Sequence, residues 1–242
     1  MKRVAICLRG SISRIKAGHL SENLYSNIPY VNYKPVKKSL EIHLYNKNKD
    51  CIFDVFIHCW NEDLKESLLN LYNPVAYKFE SQLPYKHVIK SNQWETYGKT
   101  AQRLSIKKVI ELFSSYSIQQ NIKYDKVILY RPDVLLYKDL YLEKYKDNIV
   151  YVNSQLFEDF HFIGDQNTIC KFINIFPQKT SIQNYVRNII KSQMQADNIK
   201  CGLHQEVVRK IKSSSIERHG IDKKFFLKYG FDFEYIDLLT HK

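Results

Sequence analysis

Glycine is scarce in this chain, 7 of 242 residues, and no Gly-x-Gly-x-x-Gly or Gly-x-x-x-x-Gly-Lys-Ser/Thr pattern occurs. The commonest dinucleotide and P-loop signatures are therefore missing. Proline is as sparse, at 6 residues, and no Pro-rich linker divides the chain. The five cysteines (Cys7, Cys51, Cys59, Cys170, Cys201) are odd in number and lack C-x-x-C spacing. That pattern suggests neither a zinc site nor a disulfide framework. The apolar run after Met1-Lys2-Arg3 is too short for a signal peptide, and nothing approaches a membrane span.

What is present points to a globular chain of one large domain. Hydrophobic residues make up 44% and aromatic residues 14%, which excludes the disordered and fibrous classes. Lysine and arginine number 37 against 25 acidic residues, a net charge of +12. Such a surface favours nucleotide diphosphates, nucleic acid or the acidic face of a membrane. The charge is spread in pairs (Lys37-Lys38, Lys107-Lys108, Lys223-Lys224), so a solvated surface accounts for most of it. The 18 tyrosines suit stacking on bases or sugars, but abundant Lys, Asn, Ile and Tyr are also what an AT-rich genome encodes. The expected location is cytosolic and reducing, with room for loose attachment to an anionic inner-membrane face.

Periodicity predicts strands alternating with helices. Strands are expected at Val4–Leu8, Phe53–His58, Pro74–Phe79, Lys126–Tyr130, Ile149–Val152 and Phe160–Gly164. A helix is expected after Pro35, another around Glu62–Asn70, and the longest from Trp94 to Ser115, where Ile106, Val109, Ile110 and Phe113 form one apolar stripe. Beyond Asp165 the pattern turns helical through Ile169–Phe176, Ile182–Gln195 and Leu203–Ile211. The reading is an α/β fold: a mostly parallel sheet covered by helices on both faces, with a helical C-terminal third.

Four constellations carry chemistry. The run Val127-Ile128-Leu129-Tyr130 stops at Arg131-Pro132-Asp133, and Pro132 cannot pair in a central ladder. A carboxylate and a guanidinium thus stand at the carboxyl end of a buried strand, where open α/β sheets bind ligands. Asp133 could ligate Mg²⁺ or Mn²⁺, or simply pair with Arg131. A turn after the first strand, Arg9-Gly10-Ser11-Ile12-Ser13-Arg14, offers backbone N–H groups and two guanidinium groups to a phosphate. Asp54 to Asn61 is a strand ending in His58-Cys59-Trp60-Asn61, where His58 is either a ligand or a satisfied core histidine. Asp159 and His161 share one side of a strand and could form an acid/base or metal-ligand pair, and Glu206 beside His204 could be a general base.

In order, these pieces resemble a family of small glycosyltransferases from bacterial capsule and lipopolysaccharide loci and from large DNA viruses. The family's Ile-Cys-Leu-x-Gly-x-x-Arg strand is matched by Ile6-Cys7-Leu8-Arg9-Gly10-Ser11-Ile12-Ser13-Arg14, with Arg14 one place late. Its Asp-x-Phe-Ile-His-x-Trp strand is similar to Asp54-Val55-Phe56-Ile57-His58-Cys59-Trp60, and its Gln-x-x-Ser helix to Gln102-Arg103-Leu104-Ser105. Arg131-Pro132-Asp133 matches its Arg-x-Asp, and Asp159 to Gly164 its Asp-x-Phe-x-Phe-Gly with one residue extra.

The resemblance covers roughly Arg3 to Arg209 and implies a GT-A-like fold. It also implies a nucleotide-binding half about 1–135 and an acceptor-side half about 136–242. Implied for the donor are Leu8, Arg9, Gly10, Arg14, Asp54, His58, Gln102, Arg131 and Asp133. Asp133 and His161 would hold a divalent cation (Mn²⁺ or Mg²⁺), although Arg131 stands where the first acid of Asp-x-Asp would be. Asp159 or Glu206 would activate the acceptor. Implied partners are a nucleotide-sugar donor and a saccharide or lipid-linked saccharide acceptor of surface polysaccharide synthesis, with no nucleic acid. Another nucleotide-dependent transferase and a basic nucleic-acid-binding module are the competing readings.

Overall fold

Helices can cover both faces of a sheet only if the central strands are apolar on both sides, and β1 (Lys2–Gly10) meets that condition. Val4, Ala5, Ile6, Cys7 and Leu8 are all buried. The computed structural model describes residues 1–12, 30–85, 97–136, 138–152, 161–175, 200–203 and 208–210. β1 pairs in parallel along its whole length with β2 (Cys51–Cys59), and from Val4 to Leu8 with β4 (Lys126–Tyr130). With β3 (Ala76–Phe79), β6 (Ile149–Val152), β7 (His161–Gly164) and β8 (Lys200–Leu203), these form a seven-stranded sheet of order β3-β2-β1-β4-β7-β6-β8. Only β7 runs antiparallel to its neighbours; the other pairings are parallel. β5 (Val134–Leu136) and β9 (Val208–Lys210) form a separate antiparallel pair.

The period of two along each strand sorts residues onto two cores. Val4, Ile6, Leu8, Val55, Ile57, Ile128 and Tyr130 pack with Val36 and Leu40 of α1 (Lys34–His43) and with Leu68 and Tyr72 of α2 (Lys65–Tyr72). Ala5, Cys7, Phe56, Val127 and Leu129 pack beneath α3 (Tyr97–Gln119) and α4 (Gln166–Ile175). The expected stripe of Ile106, Val109, Ile110 and Phe113 is the buried face of α3. Phe113 meets Phe56 edge-on at 5.5 Å between centroids and Tyr124 at 5.3 Å. Asp165 starts α4 by accepting the Thr168 N–H at 3.0 Å, which satisfies one of the helix's unpaired donors.

The fold is α/β with a mostly parallel sheet between helices, as the strand–helix alternation predicts. One stretch departs from expectation. The helix expected over Leu203–Ile211 is replaced by the end of β8 and by β9. β8 is held by parallel pairing with β6 (Ile149↔Lys200), and β9 by pairing with β5 (Leu136↔Val208). Short apolar runs do not distinguish helix from strand, and long-range pairing decided here. The helix expected at Ile182–Gln195 lies outside the described residues. No described helix is long and apolar enough to cross a membrane.

The chain runs from β1 outward to β2 and β3, then returns to the other side of β1 as β4. The carboxyl ends of β1 and β4 therefore flank a topological switch point, where open α/β sheets leave a crevice.

Candidate functional site

The turn leaving β1 at this crevice is built to be open. Gly10 has φ +102°, a conformation that side-chain-bearing residues rarely adopt, and a Cβ there would meet nothing within 4 Å. Among the described residues, the turn is held through the segments that follow β2 and β3. Trp60 N–H donates to the Gly10 carbonyl at 3.2 Å, Ile12 N–H donates to Asn61 Oδ1 at 2.8 Å, and Gln82 Nε2 donates to Ser11 Oγ at 3.4 Å. The Ser11 N–H meets no partner among the described residues. An available N–H after a positive-φ glycine is a concavity suited to an anion.

Asn61 is the residue that fixes this turn, and it was not among the sequence candidates. Its Nδ2 donates to Tyr30 Oη at 3.3 Å, and Tyr30 donates in turn to the Asp63 carboxylate at 2.8 Å. This relay sets which end of the Asn61 amide faces Ile12. The only signal in the sequence is an amide side chain directly after an apolar strand ending in Trp60.

Across the crevice β4 ends at Tyr130, one residue before Arg131-Pro132-Asp133. Tyr130 donates its hydroxyl to the Val134 carbonyl at 2.9 Å, bridging the turn. Arg131 Nε and Nη2 donate to Asp133 Oδ1 and Oδ2 at 2.8 and 2.9 Å, a bidentate pair in which Asp133 is fully buried. Asp133 lies within electrostatic reach of the end of β2: burial pushes the Cys59 thiol up to about 12, with Asp63 and Asp133 adding to the rise. Arg9, 1% exposed, is the last residue of β1 but one and lies in register with His58, while Leu8 pairs with Tyr130. His161 is buried opposite Tyr130, their ring centroids 6.5 Å apart. Leu8, Arg9, Gly10, Arg131, Asp133 and His161 thus share one edge of the sheet.

His58 forms one wall of that edge. Its Nε2 lies 3.0 Å from Glu80 Oε1 and its Nδ1 2.7 Å from Ser105 Oγ. Glu80 also takes Lys108 Nζ at 2.7 Å and the Tyr85 hydroxyl at 3.0 Å. A carboxylate only accepts, so Nε2 carries the proton of the neutral ring, and Nδ1 accepts from Ser105. Burial pushes the His58 pKa down to about 4, against the opposing pull of Glu80. Burial alone would raise Glu80, but the hydrogen bonds from Lys108, His58 and Tyr85 hold it at about 2. Ser105, His58 and Glu80 follow each other as in a nucleophilic triad, yet Ser105 and His58 are both fully buried. The network serves as a strut tying β2 and the segment after β3 to α3. One turn before Ser105, Gln102 Nε2 is buried with no partner among the described residues, as a group awaiting a ligand would be.

Other expected residues stand apart. Asp54 lies toward the amino end of β2, paired with Ala5, where Arg3 Nε is 3.0 Å away and Tyr124 donates to it at 2.7 Å. It is not brought to the switch-point edge. Arg14, Asp159 and Glu206 lie outside the described residues. No three His, Cys, Asp or Glu side chains gather into a cation site among the described residues. As placed, Asp133 does not fit a divalent cation, because both its oxygens are engaged by Arg131 and it has no exposed surface.

No protein-family model matches the sequence, and no curated protein matches it. Among solved structures, the chain is similar to a candidate nucleotide-diphospho-sugar transferase from Desulfovibrio desulfuricans G20. The similarity covers 99% of this chain and 97% of the other, with TM-score 0.47 and 12% identity. At that level no residue role passes between the two proteins.

Proposed function

We propose that this chain is a glycosyltransferase using a nucleoside-diphosphate sugar, with the donor diphosphate over the Gly10–Ile12 turn. The observation that carries the reading is that turn: a positive-φ glycine with open space beside it and the Ser11 N–H without a partner among the described residues, at the β1/β4 switch point. Arg9 and Arg131 add charge-assisted donors on either side. Gln102 Nε2 is a further contact for the donor.

In the reaction an acceptor hydroxyl attacks the anomeric carbon while the bond from that carbon to the diphosphate oxygen breaks. The electron pair stays on the departing nucleoside diphosphate, and the donors at the turn meet the charge that develops there. In an inverting reaction Asp159 or Glu206 takes the acceptor proton. The acceptor is a saccharide, free or lipid-linked, of the surface-polysaccharide type that the sequence resemblance implies.

A thermal-shift panel of nucleotide sugars, nucleoside diphosphates, nucleoside triphosphates and a mixed-sequence oligonucleotide tests the reading, since a ligand of the fold stabilises it. Stabilisation by one nucleotide sugar and its diphosphate, followed by sugar transfer or slow donor hydrolysis, is the expected result. Stabilisation by triphosphates alone would point to nucleotidyl or phosphoryl transfer. Steeply salt-dependent binding of the oligonucleotide alone would point to a nucleic-acid module.

A further inference from the structure

The buried stripe of α3 gives way to a polar residue where the sheet itself ends. Phe113, Val109 and Ile106 pack on Ala5, Cys7, Val127 and Leu129, and Gln102 is the next position on the same helical face. α3 runs antiparallel to β2: Phe113 meets Phe56, Ser105 Oγ lies 2.7 Å from His58 Nδ1, and the Ala101 carbonyl accepts from Trp60 Nε1 at 3.2 Å. Gln102 therefore stands at the carboxyl edge of the sheet. Trp60, whose backbone N–H donates to the Gly10 carbonyl, ties this part of α3 to the turn after β1. Resting on the donor reading above, we propose that Gln102 is a specificity-determining residue whose amide meets an uncharged polar edge of the nucleotide sugar, a nucleobase edge or a pair of sugar hydroxyls.

Gln102 Nε2 is buried with no hydrogen-bond partner among the described residues. An unpaired buried donor carries a desolvation cost that an apolar side chain of the same size would avoid. Leucine or methionine at this position would simply extend the stripe, so stability does not account for the glutamine. A polar group kept against stability marks a place where a ligand supplies the missing partner. The chemistry of the amide narrows that ligand. A phosphate only accepts hydrogen bonds, so it would satisfy the NH₂ and set the adjacent carbonyl against negative charge. A nucleobase edge with a carbonyl beside an N–H, or two neighbouring hydroxyls, meets both ends of the amide. A site that pairs a polar group in this way rejects analogues lacking it, because its own group is then left unpaired.

The test pairs ligand-free melting with calorimetric binding of UDP, GDP, UDP-glucose and GDP-mannose, on the full wild-type chain, Gln102→Met and Gln102→Leu. Both variants should melt no lower than the wild type, and up to ~4 °C higher, since the orphaned donor is gone. They should also bind the preferred nucleotide sugar about tenfold more weakly. Weakening already present with the bare diphosphate assigns the contact to the nucleoside, and weakening confined to the nucleotide sugar assigns it to the sugar. Wild-type affinity in a folded variant would overturn the proposal and leave the donor reading standing. A lower Tm in both variants would show that the amide serves the fold, and would also overturn it. Binding of none of the four by the wild type would overturn both readings. Methionine keeps the length of the side chain, so a leucine variant that fails to fold leaves the test in place.

Discussion

Acidification should weaken this fold in a pH window set by one buried ring. His58 is neutral in the folded chain, with its pKa pushed from an ordinary 6.5 to about 4, chiefly by burial. The unfolded chain takes up this proton near pH 6.5, while the folded chain resists until about pH 4. The stabilisation associated with a neutral His58 is therefore complete above 6.5 and lost progressively as pH falls toward 4. The full window is worth about 3 kcal/mol, at ~1.4 kcal/mol for each pH unit separating the folded and unfolded titrations. Between pH 7 and pH 5 the loss comes to about 2 kcal/mol by the same linkage. In a chain of this size that lowers Tm by ~4–8 °C. Glu80 runs in the acid direction too, but its window lies lower: with a pKa held at about 2 against an ordinary 4.5, its contribution is lost only below 4.5. Urea unfolding at pH 7 and pH 5, on the wild type and on His58→Gln, isolates the ring. Glutamine can still meet Ser105 and Glu80 but does not titrate, so the variant should be weaker at pH 7 and should lose about 2 kcal/mol less on acidification. Equal losses in the two proteins would refute the assignment.

Two substitutions probe the turn itself. Asn61→Ala removes the acceptor for the Ile12 N–H and the donor to Tyr30; by urea unfolding it should cost about 1–3 kcal/mol, and by calorimetry it should weaken nucleoside-diphosphate binding. Gly10→Ala meets no steric block but must hold φ near +102°, so it should destabilise by about 1–3 kcal/mol. Its methyl group would also enter the space proposed for the diphosphate. A Gly10→Ala protein that folds and binds UDP or GDP as wild type would place the phosphate elsewhere.

Much of the scaffold was legible because its signals are local. The stop at Arg131-Pro132-Asp133 follows from proline chemistry, and β4 ends at Tyr130 as that chemistry requires. The Ile106–Phe113 stripe predicts the face α3 buries because the helical period alone fixes it. What the sequence concealed depends on pairing across the chain. Glu80 and Lys108 join His58 only after β3 is laid beside β2 and α3 is packed over both, so no spacing announces them. Asn61 acts on Ile12, 49 positions away. Asp54 and His58 belong to one motif, yet four residues along a strand are about 13 Å, which leaves Asp54 toward the opposite edge from the switch point. Val208 satisfied a helical reading of its neighbourhood until pairing with Leu136 overrode it. The pairing of Asp133 with Arg131 was one of two readings the sequence left open, and burial favours it over a cation ligand.

In the proposed reading a donor diphosphate rests on the turn between β1 and Ile12, opposite the end of β4. A crystal structure of the full chain with UDP or GDP, whichever binds more tightly, tests it most directly. A phosphate oxygen is expected within hydrogen-bonding distance of the Ser11 N–H and another within reach of the Arg131 guanidinium. A diphosphate bound away from both would contradict it.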